Sequence, residues 1–408
     1  MAIKKYTSFF IDLICVPFLW ALRFIFSLTK RKENIWIFSS WNGLTFSDNA
    51  KYLFLYAHKY EENIDVFWIT RSNQLYKELK ELELPVLYIY SLGGILKCLK
   101  AGVQLTTHGI YDLSPILTKG SIHVALFHAS FPLKKMEFDA FDTSIAKQCI
   151  RFIRKPFVFE KADYSISSSR KTQSVIGSAH RIPTNKVLIS GYPRSDFINS
   201  KNHTSLDESR IKSLCDLERY SHFIYFVPTF RNNPEFDIFE HGFNQELLIE
   251  FLEETNSVLI FRFHPFEHQK VMRHRNIKHQ RIIFENHGLD DPYPLLSKCS
   301  VLITDFSSIF ADYLLMDKPI IFANFDQKGY LERERELYWN YEDVTPGVKV
   351  QNWCNLIDEL RKVVTGEKDL YHEERMKMKE VIYLDVKEHF SEKAFRQIKN
   401  AIQDKINK

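Results

Sequence analysis

The chain has 408 residues, 45% hydrophobic and 26% charged, with a formal net charge of +4. That is the composition of a folded globular protein long enough for two cores of ordinary size, and it excludes a disordered or fibrous chain. So small a positive excess gives no reason to expect nucleic acid, though it accords with an anionic ligand or a membrane surface, and six scattered cysteines without a C-x-x-C pair offer no zinc site and read as reduced and cytosolic.

Residues Phe9 to Leu28 are apolar except for Asp12, Arg23 and Ser27, with Pro17 in the middle and lysines or arginines on both flanks. No small-residue cleavage site follows, so a signal peptide is not expected. Two central charges and a proline argue against a membrane-spanning helix. On a helical wheel Lys5, Ser8, Asp12, Arg23, Ser27 and Lys30 fall within about a third of the circumference, a stripe interrupted by Val16, Leu19 and Phe26. Residues 1–33 are therefore expected to form an interfacial, membrane-associating helix with a basic flank. The alternative is a helix docked on the protein's own core.

Beyond it, short β-branched and aromatic runs alternate with helical periods. Asn34 to Ser40 reads as a strand, Ala50 to Tyr60 as a helix, and Ile64 to Thr70, Leu84 to Tyr90, Gly102 to Gly109 and Ile122 to Ala129 as further strands. Tyr164 to Ser167 and Val187 to Ser190 continue the series, which closes in the turn Gly191 to Asp196. Polar Ser200 to Arg210 is the candidate linker. A second series then runs through His222–Arg231, Ser257–Pro265, Arg281–Asn286, Ser300–Ser308 and Pro319–Asn324, and the tail from about Glu388 is charged and helical. The pattern predicts an α/β protein of two doubly wound, Rossmann-like domains, 34–205 and 206–387, followed by a C-terminal helix over 388–408.

Open α/β sheets bind ligands at the carboxyl ends of their strands. In the second domain those ends carry Pro228-Thr229-Phe230-Arg231, His264-Pro265 and Asp305-Phe306-Ser307-Ser308. Each has a plainer reading on its own: a surface charge, a structural histidine, an ordinary helix cap. Together a guanidinium, an imidazole and a double-serine helix start form a convergent donor set suited to a diphosphate. The first domain offers His108 and His128 after apolar runs, with Lys134 and Lys135 downstream as candidate acceptor-side residues. Imidazole suits proton transfer near neutral pH, although either histidine also reads as a hydrogen-bonded strand end. No acidic cluster of metal-ligand type is present, so no cofactor is required; a divalent metal carried in with the substrate stays open.

Seven stretches in order resemble the CDP-glycerol:glycerophosphate glycerophosphotransferases, which build teichoic acids and related capsule polymers of the cell wall. They are GLTFSDNAKYLF (Gly43 to Phe54), FHASFPLKKM (Phe127 to Met136), GYPRSD, PTFR, RFHP, LITDFSSIFADYLLMDKPIIF (Leu302 to Phe322) and YEDVTPG (Tyr341 to Gly347). The resemblance spans about residues 35 to 385. It implies a glycosyltransferase-B-like fold and a peripheral protein on the cytoplasmic face of the membrane. The donor would be CDP-glycerol or CDP-ribitol and the acceptor a lipid-linked or polymeric glycan. It also implies His128 as general base, His264 as the histidine of the HP motif, and Arg231, Asp305, Ser307 and Ser308 at the donor phosphates. Three positions depart from the family pattern: Ala129-Ser130 stands for Gly-Thr, Phe230 for Trp and Phe306 for Tyr. A CMP-sialic-acid-dependent polysialyltransferase, another nucleotide-sugar glycosyltransferase and a non-catalytic membrane assembly factor remain the alternatives.

Overall fold

The computed structural model describes residues 2–140, 144–198, 200–231, 233, 236–264, 273–274, 277–285 and 291–407. The chain forms two compact units, and neither is a continuous stretch. The first comprises Met1–His128, Met136–Asp196 and Asp385–Lys408; the second comprises Ala129–Lys135 and Phe197–Leu384. Two excursions therefore depart from the simple division expected from the sequence. Seven residues after His128 fold with the second unit, and the C-terminal helix Phe390–Ile406 folds with the first.

The first unit is built on seven parallel strands: β1 (Lys32–Ser39), β2 (Asp65–Thr70), β3 (Val86–Tyr88), β4 (Ala101–Thr106), β5 (Ile122–Ala125), β6 (Tyr164–Ser167) and β7 (Val187–Ile189). Their order is β3-β2-β1-β4-β5-β6-β7. Strand β1 pairs Ile37 with Phe67 on one side and with Gln104 on the other. Buried Ile35, Ile37, Ile69, Ile89 and Leu113 form one of its apolar layers. Chain order reverses between β1 and β4, so the crevice at their carboxyl ends is where this sheet type takes ligands. The C-terminal helix docks by stacking Phe395 on Trp36, ring centroids 4.9 Å apart. At its start Asp196 accepts from the backbone N–H groups of Phe390 and Ser391, at 3.0 and 2.8 Å. Gly191 sits at φ +72°, and a Cβ there would come within 2.6 Å of the Phe390 ring, so glycine permits the close approach.

The second unit has six parallel strands: β8 (His222–Val227), β9 (Ser257–Phe261), β10 (Ile282–Phe284), β11 (Val301–Thr304), β12 (Ile320–Ala323) and β13 (Val348–Val350). Their order is β10-β9-β8-β11-β12-β13, which puts the reversal between β8 and β11. One apolar layer centres on Ile224, Phe226, Leu259, Ile303 and Trp353. The indole of Trp353 satisfies its one donor on the Ile238 carbonyl at 2.8 Å. The expected linker is shorter than the polar run suggested. Helix Ser205–Leu214 begins inside it, because Thr204 and Asp207 form a reciprocal capping box.

Residues Ala2–Ser27 are a single helix that contains Pro17. Among the described residues no helix is long and apolar enough to cross a membrane. The expected polar stripe is overturned at Arg23, which is 3% exposed. Its guanidinium pairs with Glu160 and lies over the Phe157 ring, 4.3 Å from the centroid. The charged residue thus faces the first unit, while Ile14, Phe18, Phe24, Ile25 and Leu28 are exposed. Burial of Arg23 is tolerable because a carboxylate and an aromatic face replace its water.

Candidate active site

In the second unit the strands at the reversal hold the site together. Asp305 follows β11 and is 2% exposed; it accepts from the Thr229 backbone N–H at 2.7 Å and from Arg231 Nη2 at 3.1 Å. The turn after β8 is thereby tied to the turn after β11. Arg231 is buried too, with the rings of Phe236, Tyr330 and Phe306 centred 3.9, 4.7 and 5.6 Å from its guanidinium carbon. Arg231 and Asp305, expected from the sequence at the donor phosphates, are thus engaged with each other as a buried ion pair.

His264 follows β9, half-buried, its ring 5.0 Å from that of Phe230. Burial, reinforced by the positive charges of Lys134 and Arg262, brings its pKa down to about 4. At neutral pH it is therefore a neutral hydrogen-bonding group. Ser307 and Ser308 precede a helix of only five residues, Ile309–Tyr313. Ser307 Oγ accepts weakly from the Ile309 N–H at 3.4 Å, whereas Ser308 makes no side-chain cap. Pro265, His268 and His287 lie outside the described residues.

Lys134 and Lys135 belong to this unit and not, as expected, to the first. Ser130 Oγ meets Asp312 Oδ1 at 2.5 Å, Trp339 Nε1 donates to the Pro132 carbonyl at 2.8 Å, and Tyr338 N–H donates to the Leu133 carbonyl at 2.9 Å. A buried hydroxyl at Ser130 thus fixes the segment, a task a threonine could also perform. Lys135 pairs with Glu336. Lys134 lies in the field of Asp305, Arg231 and Arg335, and burial lowers its pKa to about 8. It is the ammonium beside His264.

In the first unit, β4 leads into His108 and β5 into His128, and the two imidazoles stack with centroids 4.7 Å apart at 15°. Trp41 covers His108 at 4.2 Å. Asp112 holds the His108 loop by accepting from the backbone N–H groups of Asn42 (2.7 Å), Thr107 (3.0 Å) and His108 (2.7 Å). Burial nevertheless lifts its carboxyl to about 7.

The backbone under His128 is more elaborately held. Phe127 has φ +52°, a strained conformation for a bulky residue. Asn49 Nδ2 donates to the carbonyls of Leu126 (3.2 Å) and Phe127 (2.6 Å), and Arg194 Nη1 donates to the His128 carbonyl at 2.7 Å. Arg194 is fully buried and pairs with Asp48 at 2.8 Å, while its backbone N–H donates to Asn49 Oδ1 at 3.1 Å. Asp48 and Asn49 lie in the GLTFSDNAKYLF stretch and Arg194 in GYPRSD, and neither stretch by itself assigns them a task. Their signal was available: charged and amide residues inside apolar runs need buried partners.

A family model described as CDP-Glycerol:Poly(glycerophosphate) glycerophosphotransferase matches residues 21–399. The teichoic acid poly(glycerol phosphate) polymerase of Bacillus spizizenii is 26% identical over 374 residues, covering 90% of this chain and 92% of that protein. The teichoic acid glycerol-phosphate transferase of Staphylococcus aureus is 25% identical over 341 residues, 81% of this chain and 84% of that protein. Among solved structures, the wall teichoic acid polymerase TagF shares the fold, with a TM-score of 0.71 at 19% identity and coverage of 99% of this chain and 97% of that one.

Proposed function

The chain belongs to the CDP-glycerol:poly(glycerophosphate) glycerophosphotransferase family, and from that premise we propose that it is a transferase that moves glycerol phosphate or ribitol phosphate from the CDP-alditol to a hydroxyl of a lipid-linked or polymeric glycan, releasing CMP. The observation that carries this reading is the second unit's edge, where the segments after β9 and β11 carry His264 and Ser307-Ser308 and the buried Arg231–Asp305 pair ties the turn after β8 to the turn after β11. The donor diphosphate is held there by the serine hydroxyls and by the neutral imidazole, with Lys134 as the nearby cation. The acceptor oxygen bonds to the β-phosphorus as the bond from that phosphorus to the α–β bridging oxygen breaks, and CMP leaves with the electron pair. His128 takes the hydroxyl proton. Alignment and neutralised charge on the non-bridging oxygens do most of the work in such transfers. The test is CMP release from purified protein given each CDP-alditol, with and without a membrane extract; no release under any of these conditions overturns the reading.

Replacing both serines by alanine is expected to raise the donor KM by roughly tenfold or more, since hydrogen bonds to a charged group contribute about 1.5–3 kcal/mol each. Steady-state kinetics with varied CDP-glycerol measures it. An unchanged KM would remove the serines from the donor site.

The finer reading of the N-terminal helix is that it rests on the cytoplasmic face of the membrane through its exposed apolar side chains, with Arg23 as its anchor to the first unit. Full burial of a Phe or Leu side chain contributes about 1.5–3 kcal/mol, so F18Q/F24Q/L28Q is expected to abolish most vesicle flotation without lowering the melting temperature. Equal flotation of parent and variant would rule this helix out as the anchor.

A further inference from the structure

The turn that follows β1 is built in a costly conformation. Trp41, Asn42 and Gly43 lie in succession at φ +47°, +56° and +78°, left-handed backbone that only glycine adopts freely. Such strain persists only where the surroundings over-determine it, and this turn is held from both sides. Asp112 Oδ1 accepts from the Asn42 N–H at 2.7 Å, and Arg71 Nη1 donates to the Asn42 carbonyl. The Gly43 carbonyl accepts from Thr70 Oγ1 at 2.9 Å and from the Arg71 N–H at 2.7 Å. These contacts engage the backbone of Asn42 and leave its carboxamide without a hydrogen-bond partner among the described residues. The turn sets Trp41 against His108 and Asn42 in the wall of a cavity of about 230 Å³. Thr107, His108, Gly109 and His128 line the same cavity. Gly109, at φ +111°, has nothing within 4 Å of where a Cβ would stand, so the wall is open beside His108. At about 30 Å³ per water the space equals about seven waters, room for the end of one polyol or sugar chain.

We propose that Asn42 is an acceptor-binding residue, its carboxamide holding the hydroxyl next to the one that reacts at His128. The inference rests on the transferase reading and adds what the acceptor is recognised by, a pair of neighbouring hydroxyls. A carboxamide donates through Nδ2 and accepts through Oδ1, which suits a hydroxyl in either role. The plainer account of Asn42 is that asparagine tolerates the left-handed backbone, but glycine tolerates it better, and so the two accounts separate on replacement by glycine. The hydroxyl pair has two sources, the terminal alditol of a polymer or a sugar of a lipid-linked glycan, and they share this chemistry.

Two soluble acceptors, one ending in glycerol phosphate and one in a disaccharide, are each compared with a deoxy form that lacks the hydroxyl beside the reacting one. The parent is expected to favour the full acceptor about three- to tenfold in KM, the effect of one neutral hydrogen bond, for the source that Asn42 reads. N42G should erase that preference and leave the Kd of CDP-glycerol and the melting temperature unchanged. N42D suits the same turn and still accepts from a hydroxyl, so it should recover part of the preference. The acceptor whose preference disappears identifies the source. A full preference in N42G for both acceptors, or no preference in the parent for either, overturns the proposal. Absence of CMP release from the parent with every donor would instead defeat the transferase reading. Calorimetric titration of parent and N42G with the full and deoxy acceptors then decides the role of Asn42: tighter binding of the full form by the parent alone supports it, and equal binding by both proteins overturns it.

Discussion

Replacing His128 by alanine is expected to lower kcat by about 10²- to 10⁴-fold, the usual contribution of a positioned general base, while CDP-glycerol binding stays within twofold. The split follows from where the residue belongs. His128 follows β5 in the first unit, whereas the serines, His264 and the Arg231–Asp305 pair are all built into the second. On the proposed mechanism, removing the imidazole takes away a proton acceptor and no donor contact. Its ring stacks on His108 and its backbone is clamped from below, so alanine also leaves the local chain path supported. Single-turnover CMP release with saturating acceptor, beside calorimetric titration with CDP-glycerol, checks both halves. Turnover at the parental rate would show that another group takes the proton.

Arg194→Ala is expected to destabilise the first unit by about 3–5 kcal/mol, because it leaves Asp48 buried without its partner and frees the His128 carbonyl. The same change should reduce kcat, since the Phe127–His128 turn, with Phe127 at φ +52°, loses one of the contacts that holds it. D48N/R194M removes both charges and should cost less than the sum of the single changes, as coupled neighbours do. Denaturant unfolding followed by tryptophan fluorescence reads the stability and CMP release reads the rate. A loss below about 0.5 kcal/mol for Arg194→Ala would mean that the pair is not what supports the turn.

Much of the architecture was legible in the sequence because short continuous apolar runs alternate with helical periods; β6 over Tyr164–Ser167 lies where the pattern placed it. Strand ends were overrun by a few residues, as at His222–Arg231 against β8 ending at Val227, because apolar residues continue into the turn that carries the site. His108 and His128 were legible as a pair of strand ends, and the structure stacks them. What was hidden is pairing over long separations. Nothing local says that Asp48 meets Arg194, or that Arg231 spends its charge on Asp305. Lys134 read as a neighbour of His128 because the two are six residues apart, yet the chain leaves one unit for the other immediately after the histidine. Arg23 looked like part of a solvent-facing stripe, since its partner Glu160 lies far along the chain.

The interleaving of the two units constrains how the protein can be made. During synthesis the first unit cannot finish when its last strand emerges, because helix Phe390–Ile406 belongs to it and is translated only after the second unit. The second unit, for its part, must recruit residues 129–135, which were translated long before the rest of it. A gene cut near residue 205 would separate Asp312 from Ser130 and Trp339 from Pro132, and would strip Trp36 of Phe395. Recombination could not readily exchange one half for a relative's, and the donor-handling and acceptor-handling parts would have to be inherited together.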